Sequence, residues 1–337
     1  LKRKKRRSLI RWIAKLIWCI LLLGMIGWGT LAIYYSYLPE TLRTGLAVIY
    51  ALGSLIVLIF IRRKIWADGL SVIFFAAVLM GWLAMSPSND RDWQEDVAVL
   101  PHATISGNTV TIHNIRNCDY RSEADYTVRY YDLTVDMAKL SSLDLYLVDW
   151  GLKHVVHTML SFGFEDGRYI CISIETRKEK GEAYSTVKGF FRQYELFYVV
   201  ADERDLVRLR TNYRKGETVY LYRLGGSLDV GRQIFLDYMR YINGLKAQPE
   251  WYNALTGNCT TQIRGHTRPY TGRVRWDWRI LANGYIDKLA YEQGLLDASL
   301  SFEELKQRSA INTRAMTADK DASFSSIIRK GLPGIKP

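Results

Sequence analysis

Residues 157–177 read HTMLSFGFEDGRYICISIETR, and this stretch decides how the large domain is built. Apolar residues run on both sides of a Glu165-Asp166-Gly167 turn. Two such runs around a short Gly-containing loop specify a β-hairpin. A loop of about three residues sets Glu175 nearly opposite His157 on the returning strand. Further along, residues 252–266 read YNALTGNCTTQIRGH. Asn258 is a helix-capping residue type, so Cys259 is predicted at a helix start. The free N–H groups and the dipole of a helix start favour thiolate over thiol. A thiol so placed, an imidazole to take its proton and a carboxylate to orient the imidazole are the parts of a cysteine nucleophile. His154 and His266 are rivals for the base, and His266 lies close enough to Cys259 in sequence to share its helix. His102 and His113 carry no supporting pattern.

Around this pair the chain alternates short strands and amphipathic helices. Residues 108–115 (NTVTIHNI) and 143–148 (LDLYLV) place apolar residues two apart, and 194–200 and 219–224 read as further strands. Residues 228–245 have near-helical apolar spacing, and 280–296 form a second helical stretch. The tail from 309 to 337 is polar and rich in Ser, Thr and Lys, which predicts loose order. The chain shows no internal repeat.

Charge divides the chain differently. Of the net charge of +12, residues 1–90 contribute 12 Lys/Arg against 3 Asp/Glu, and the remainder 34 against 31. The basic character therefore belongs to the N-terminal part, and the large domain is near neutral, which excludes a nucleic-acid reading drawn from the pI. Three apolar runs lie in that part, at about 13–34, 45–61 and 69–85. Each is long enough to cross or nearly cross a hydrocarbon core of ~30 Å. Only Lys15 interrupts them, near an end where it can snorkel. A basic cluster (Lys2, Arg3, Lys4, Lys5, Arg6, Arg7) precedes the first run, and Arg62, Arg63 and Lys64 separate the second from the third. The positive-inside rule sets both segments in the cytoplasm. An odd number of crossings then leaves everything after about Ser86 outside it. A signal peptide fits less well, because further spans follow the first run with no clear cleavage site.

Cys19 lies in the first run, which leaves Cys118, Cys171 and Cys259 for the outer domain. With no CxxC pair and no HxxxH, their spacing does not suit zinc, and no metal or cofactor is expected. Cys118 and Cys171 read as small buried hydrophobes, either free or bridged.

The segments IRNCDYRSEADYTVRYYDLTVDMAKLSSLDLYLVDWG (115–151), HTMLSFGFEDGRYICISIETRKEKGE (157–182), NCTTQIRGH (258–266) and WDWRILANGY (276–285) resemble the Lnb N-terminal periplasmic domain family. The resemblance runs over about residues 110–296. It implies an α+β protein in which three transmembrane helices (1–90) precede a circularly permuted papain-like, NlpC-type domain (91–308). Some members of the family are implicated in acylating the N-termini of bacterial lipoproteins, with a phospholipid as acyl donor. The resemblance makes Cys259 the nucleophile and His157 the base, with Glu175 as orienting residue. It also singles out Arg116, Tyr120, Arg121 and Arg177 as candidate binders of a phosphate headgroup, together with Glu179. In the lipoprotein-acylating members the spans follow the domain, whereas here they precede it. The aromatic stretch Trp276, Asp277, Trp278, Arg279 is a candidate for the bilayer surface.

These readings converge on a thiol acyltransferase of the bacterial inner membrane, with a phospholipid and a lipoprotein as partners and its large domain periplasmic. Two alternatives stand beside it. One is a cysteine peptidase, amidase or lipid hydrolase of the envelope, and the other is a non-catalytic envelope-binding domain.

Overall fold

The computed structural model describes residues 2–271 and 277–335, with side chains from Ser8 onward. Trp276 therefore lies outside the described residues. The chain divides into two compact units, one of residues 1–87 with 185–193 and one of 88–184 with 194–337.

The first unit contains three helices, α1 (Lys2–Tyr34), α2 (Glu40–Phe60) and α3 (Lys64–Ala84). All three are long and apolar enough to cross a membrane. They cover the three runs expected from the sequence, α2 and α3 each stopping one residue short, at Phe60 and Ala84. Their outer faces expose residues such as Leu21, Ile49 and Ile73 at 51, 69 and 63%, far more apolar surface than a helix bundle in water would leave open. Polar groups within α3 are satisfied locally, as where the Ser71 hydroxyl donates to the Ala67 carbonyl. Trp28 packs edge-on against Phe75 and Trp82. Residues 185–193 pack with these helices: Phe191 stacks on Tyr35, and Arg192 lies over the Trp82 ring while donating to the carbonyls of Trp82, Leu83 and Met85.

The second unit is built on one mixed sheet. Its strands are β1 (His102–Ser106), β2 (Thr109–Arg116), β5 (Tyr130–Asp136), β6 (Leu140–Asp149), β7 (Val156–Phe164), β8 (Tyr169–Arg177), β9 (Glu195–Asp202) and β10 (Thr218–Arg223). A separate two-stranded piece pairs β3 (Asp119–Tyr120) with β4 (Tyr126–Thr127). The order across the sheet is β1-β2-β9-β8-β7-β6-β10, with β5 added alongside β2. Pairing is antiparallel except for one parallel contact between β2 and β9. The hairpin read from residues 157–177 is β7–β8. Gly167, at φ 80°, supplies the left-handed residue its turn requires.

Every residue of β7 is buried, because helices cover both faces of the sheet. On one face lie α5 (Leu228–Ala247), α6 (Cys259–Thr267) and α7 (Ile286–Glu292), packed against Leu145, Leu160, Ile172 and Val200. The other face, with Tyr146, Met159, Cys171 and Val199, is covered by α4 (Glu203–Arg208), α9 (Asn312–Thr317) and α10 (Phe324–Arg329). The short α8 (Phe302–Ser309) precedes α9 and opens with a Ser301–Glu304 capping box.

Two expectations are corrected here. The tail from 309 onward is not loosely ordered. Ile311, Ala315, Phe324 and Ile328 are wholly buried in the second core, and the Arg329 guanidinium bridges Asp144 and Glu203 at 2.8 and 2.6 Å. A polar average concealed a few apolar residues at helical spacing and one buried ion pair. Nor is 280–296 one helix, because 3-10 turns at Trp278–Ile280 and Asn283–Tyr285 precede α7.

Candidate active site

Antiparallel pairing of Met159 with Ser173 fixes the hairpin register, which continued two residues sets His157 against Glu175. The side chains meet accordingly. His157 Nε2 lies 2.7 Å from Ser173 Oγ and 3.2 Å from Glu175 Oε1. The Ser173 hydroxyl donates to Glu175 Oε1 at 2.6 Å, so its oxygen is left to accept from the imidazole Nε2–H. Arg210 donates to the same carboxylate oxygen at 2.7 Å. This chain of partners fixes the tautomer and leaves Nδ1 as the basic nitrogen.

The thiol comes from the opposite direction. Asn258 caps α6 by accepting from the Thr261 N–H at 3.0 Å, which makes Cys259 the first helical residue. Helix and strand are tied by Asn283. Its Nδ2 donates to Thr260 Oγ1 and to the Val156 carbonyl, both at 2.7 Å, and its Oδ1 accepts from the Val156 N–H. Gly284 allows that approach: a Cβ there would sit 2.6 Å from the Lys153 carbonyl oxygen. Thr158 Oγ1 and Thr260 Oγ1 close the same seam at 3.2 Å.

Cys259 and His157 are 8 and 6% exposed, and each shifts the ionisation of the other. Burial alone pushes the thiol up, but the adjacent imidazolium, with hydrogen bonds from His157 and Thr158, pulls it down to about 7. Burial, the largest influence, pushes His157 down and Arg210 adds to it, but the Glu175 carboxylate and the Cys259 thiolate together raise the imidazole to about 9. Burial opposes ionisation of Glu175 too, yet His157 and Arg210 hold it well below the usual carboxylate range. Around neutrality the site favours thiolate beside imidazolium. The Trp150 ring lies 6.3 Å from the imidazole and adds to its burial.

The rival bases are engaged elsewhere or distant. His266 is buried, with Nδ1 at 2.7 Å from Asp237 Oδ2 and Nε2 at 2.8 Å from the Tyr198 hydroxyl, so both ring nitrogens are occupied. His154 is exposed beside Tyr285. His102 and His113 stack on each other on the β1–β2 pair. All four cysteines are free, with Cys118 pushed up to about 12 and Cys171 also raised, both chiefly by burial. Among the described residues no group of His, Cys, Asp and Glu could hold a metal.

The proposed phosphate-binding set does not come together. Arg116 is buried and gripped by Asp205 through two hydrogen bonds at 2.7 and 2.9 Å. The same carboxylate accepts from the Tyr120 hydroxyl and the Cys118 N–H. Arg121 is exposed and pairs with Asp125 across a local turn. Arg177, 2% exposed, donates to the Val97 and Ala98 carbonyls and stacks on Trp93 at 4.2 Å, while burial pulls it down to about 10. Glu179 pairs with Arg91. Arg116, Tyr120 and Arg177 hold the fold together through partners inside the domain, whereas the pairs of Arg121 and Glu179 lie nearer the surface. Trp278 is 54% exposed, and Arg279 pairs with Asp277 and Glu292. The residues missed from sequence are Ser173, Arg210, Asn283, Thr158 and Thr260. Only Ser173 carried a signal, two residues before Glu175 on the same strand face.

Residues 126–284 match the family model described as Lnb N-terminal periplasmic domain. The segment carrying His157, Ser173, Glu175, Arg210, Cys259 and Asn283 thus belongs to the family that the sequence resembles, while Arg116, Tyr120 and Arg121 fall before it. With three apolar helices ahead of that domain, the chain is a membrane-associated protein carrying a periplasmic-type domain. No curated protein matches the chain, and no solved structure does.

Proposed function

We propose that this protein is a membrane-anchored thiol acyltransferase that moves an acyl group from a phospholipid to the N-terminal amine of a lipoprotein. The observation that carries the reading is the buried helix-start thiol, its ionisation favoured by an imidazole that Ser173, Glu175 and Arg210 hold in one orientation. The arrangement is that of a papain-like site with its two halves exchanged in chain order. In the first step the Cys259 thiolate attacks the ester carbonyl. His157 gives its proton to the departing alkoxide, and a thioester and a lysophospholipid result. In the second step the amine attacks the thioester, His157 takes the amine proton, and the thiolate leaves. With the Thr261 N–H taken by the Asn258 cap, the N–H groups of Cys259 and Thr260 have no acceptor within the helix and suit the oxyanion of both tetrahedral intermediates. The orientation we propose sets the N-terminus in the cytoplasm and the catalytic domain on the periplasmic side of the inner membrane.

The test uses the full chain in phospholipid nanodiscs with a diacylglyceryl lipopeptide. The expected products are an N-acylated lipopeptide and a lysophospholipid, both lost in Cys259→Ser. Lysophospholipid with free fatty acid and an unchanged lipopeptide would make the protein a hydrolase. Products formed equally by Cys259→Ser would remove the thiol mechanism.

A further inference from the structure

The first turn of α6 does more than present a sulfur. It forms one wall of a cavity of about 1010 Å3 between the sheet and the helices α5, α6 and α7. Thr158 and Thr260 line the cavity, and these residues flank His157 and Cys259 in the chain. Ile263 also lines it, four residues after Cys259 and so on the same side of the helix. Leu145, Leu160, Val230 and Leu289 contribute from the sheet and the other helices. The volume is at the upper end for small-molecule sites. Of the charged groups at its edge, Arg223 pairs with Asp144 and Asp277 with Arg279, while Arg264 of α6 and Arg268 just past its end add positive charge there.

We propose that this cavity is the acyl-chain site of the enzyme, receiving the hydrocarbon chain of a lipid ester while its carbonyl lies at Cys259. The proposal rests on the thiol acyl-transfer reading and adds where the chain goes and what limits its length. The chemistry of the wall selects the occupant. A peptide drawn into an aliphatic space would leave its amides without partners, a loss of several-fold to many-fold in binding for each one. An unbranched chain has no such groups and gains with each methylene buried. The cavity wall includes Thr158 and Thr260, each next in the chain to one of the reacting pair, so a chain esterified at Cys259 has an apolar space beside it to occupy.

The experiment measures acylation of Cys259 in the full chain in nanodiscs, by intact-protein mass spectrometry, with p-nitrophenyl esters from butyryl to palmitoyl. The wild-type rate is expected to rise by up to about fourfold per methylene and then level off as the cavity fills. Val230→Trp and Ile263→Trp place bulk on partly buried wall positions. They should leave butyryl transfer within about twofold of wild type. Displacing two methylenes' worth of chain should slow palmitoyl transfer by roughly sixteenfold. A flat wild-type profile, with Cys259 still acylated, overturns the cavity proposal and leaves the thiol reading standing. A Trp variant with a normal unfolding transition that loses butyryl and palmitoyl transfer alike also overturns it. Absence of acylation by every ester overturns the thiol reading itself. The wild-type profile decides without either variant.

Discussion

Replacing His157 by Ala should raise the Cys259 thiol by at least two pKa units. The thiol is lowered from its ordinary 9.0 to about 7, and burial opposes that shift, so the imidazolium and the hydrogen bonds from His157 and Thr158 provide all of it. A two-unit shift corresponds to about 2.7 kcal/mol of differential interaction between thiol and thiolate. With the imidazole gone, burial remains and the thiol titrates at or above its ordinary value. At pH 7 the wild-type sulfur is about half thiolate and the variant about 1% or less, so alkylation should slow roughly 50-fold. The assay follows iodoacetamide labelling of the full chain against pH, read on the peptide that contains Cys259. Cys118 and Cys171, buried and raised, should stay unlabelled across the same range. The sign for activity follows from both partners. Thiolate forms as pH rises through about 7, and the imidazolium loses its proton through about 9, so transfer should follow a bell between those limits. Glu175→Gln removes the carboxylate that most raises His157 against burial, and the bell should narrow from both sides. An unchanged labelling profile in His157→Ala, or the same loss produced by His266→Ala alone, would refute the assignment.

Arg116→Ala should leave Asp205 buried without its counter-ion and cost about 3–5 kcal/mol, read as a fall in Tm. Transfer per folded molecule should change little, whereas a selective rise in KM for lipid would restore Arg116 to the substrate. Gly284→Ala forces a Cβ against the Lys153 carbonyl and should displace Asn283 from Val156 and Thr260. We expect about 1–3 kcal/mol of destabilisation with a fall in kcat, and a variant with wild-type Tm and kcat would show that the clamp is unimportant. Reporter fusions after Arg7 and after Ser86 should report opposite sides of the membrane, and agreement between them would remove the three-span topology.

What the sequence made legible depended on how local the cause was. The β7–β8 hairpin is specified by its own alternation and turn, so the nearness of His157 and Glu175 followed from counting residues. Cys259 was legible because a cap residue and a helix start are adjacent in sequence. Arg210 was not, because it lies in the π-helical turn Leu209–Tyr213 that follows α4, and only the folding of that segment onto β8 brings its guanidinium to Glu175. The misreading of Arg116 and Arg177 has the same origin. Composition shows a cation but not whether its counter-charge is a ligand or, for Arg116, a carboxylate 89 residues away in the same core.

The placement of charge explains how one carboxylate can serve two cations. Glu175 Oε1 is approached by Arg210 at 2.7 Å and by His157 at 3.2 Å, with the Ser173 hydroxyl between at 2.6 Å. Arg210 favours neutral imidazole and Glu175 favours imidazolium, and the carboxylate prevails. If Arg210 were the closer partner of the ring, the imidazole would be driven down and the thiol would lose its counter-ion. Because the guanidinium instead binds the far partner of the relay, it anchors Glu175 without cancelling it. The Glu175 side chain is still partly open to solvent, at 28% exposure. That leaves the carboxylate ionised when His157 becomes neutral during proton transfer to the leaving alkoxide, so the relay can return the ring to its charged form in the next step.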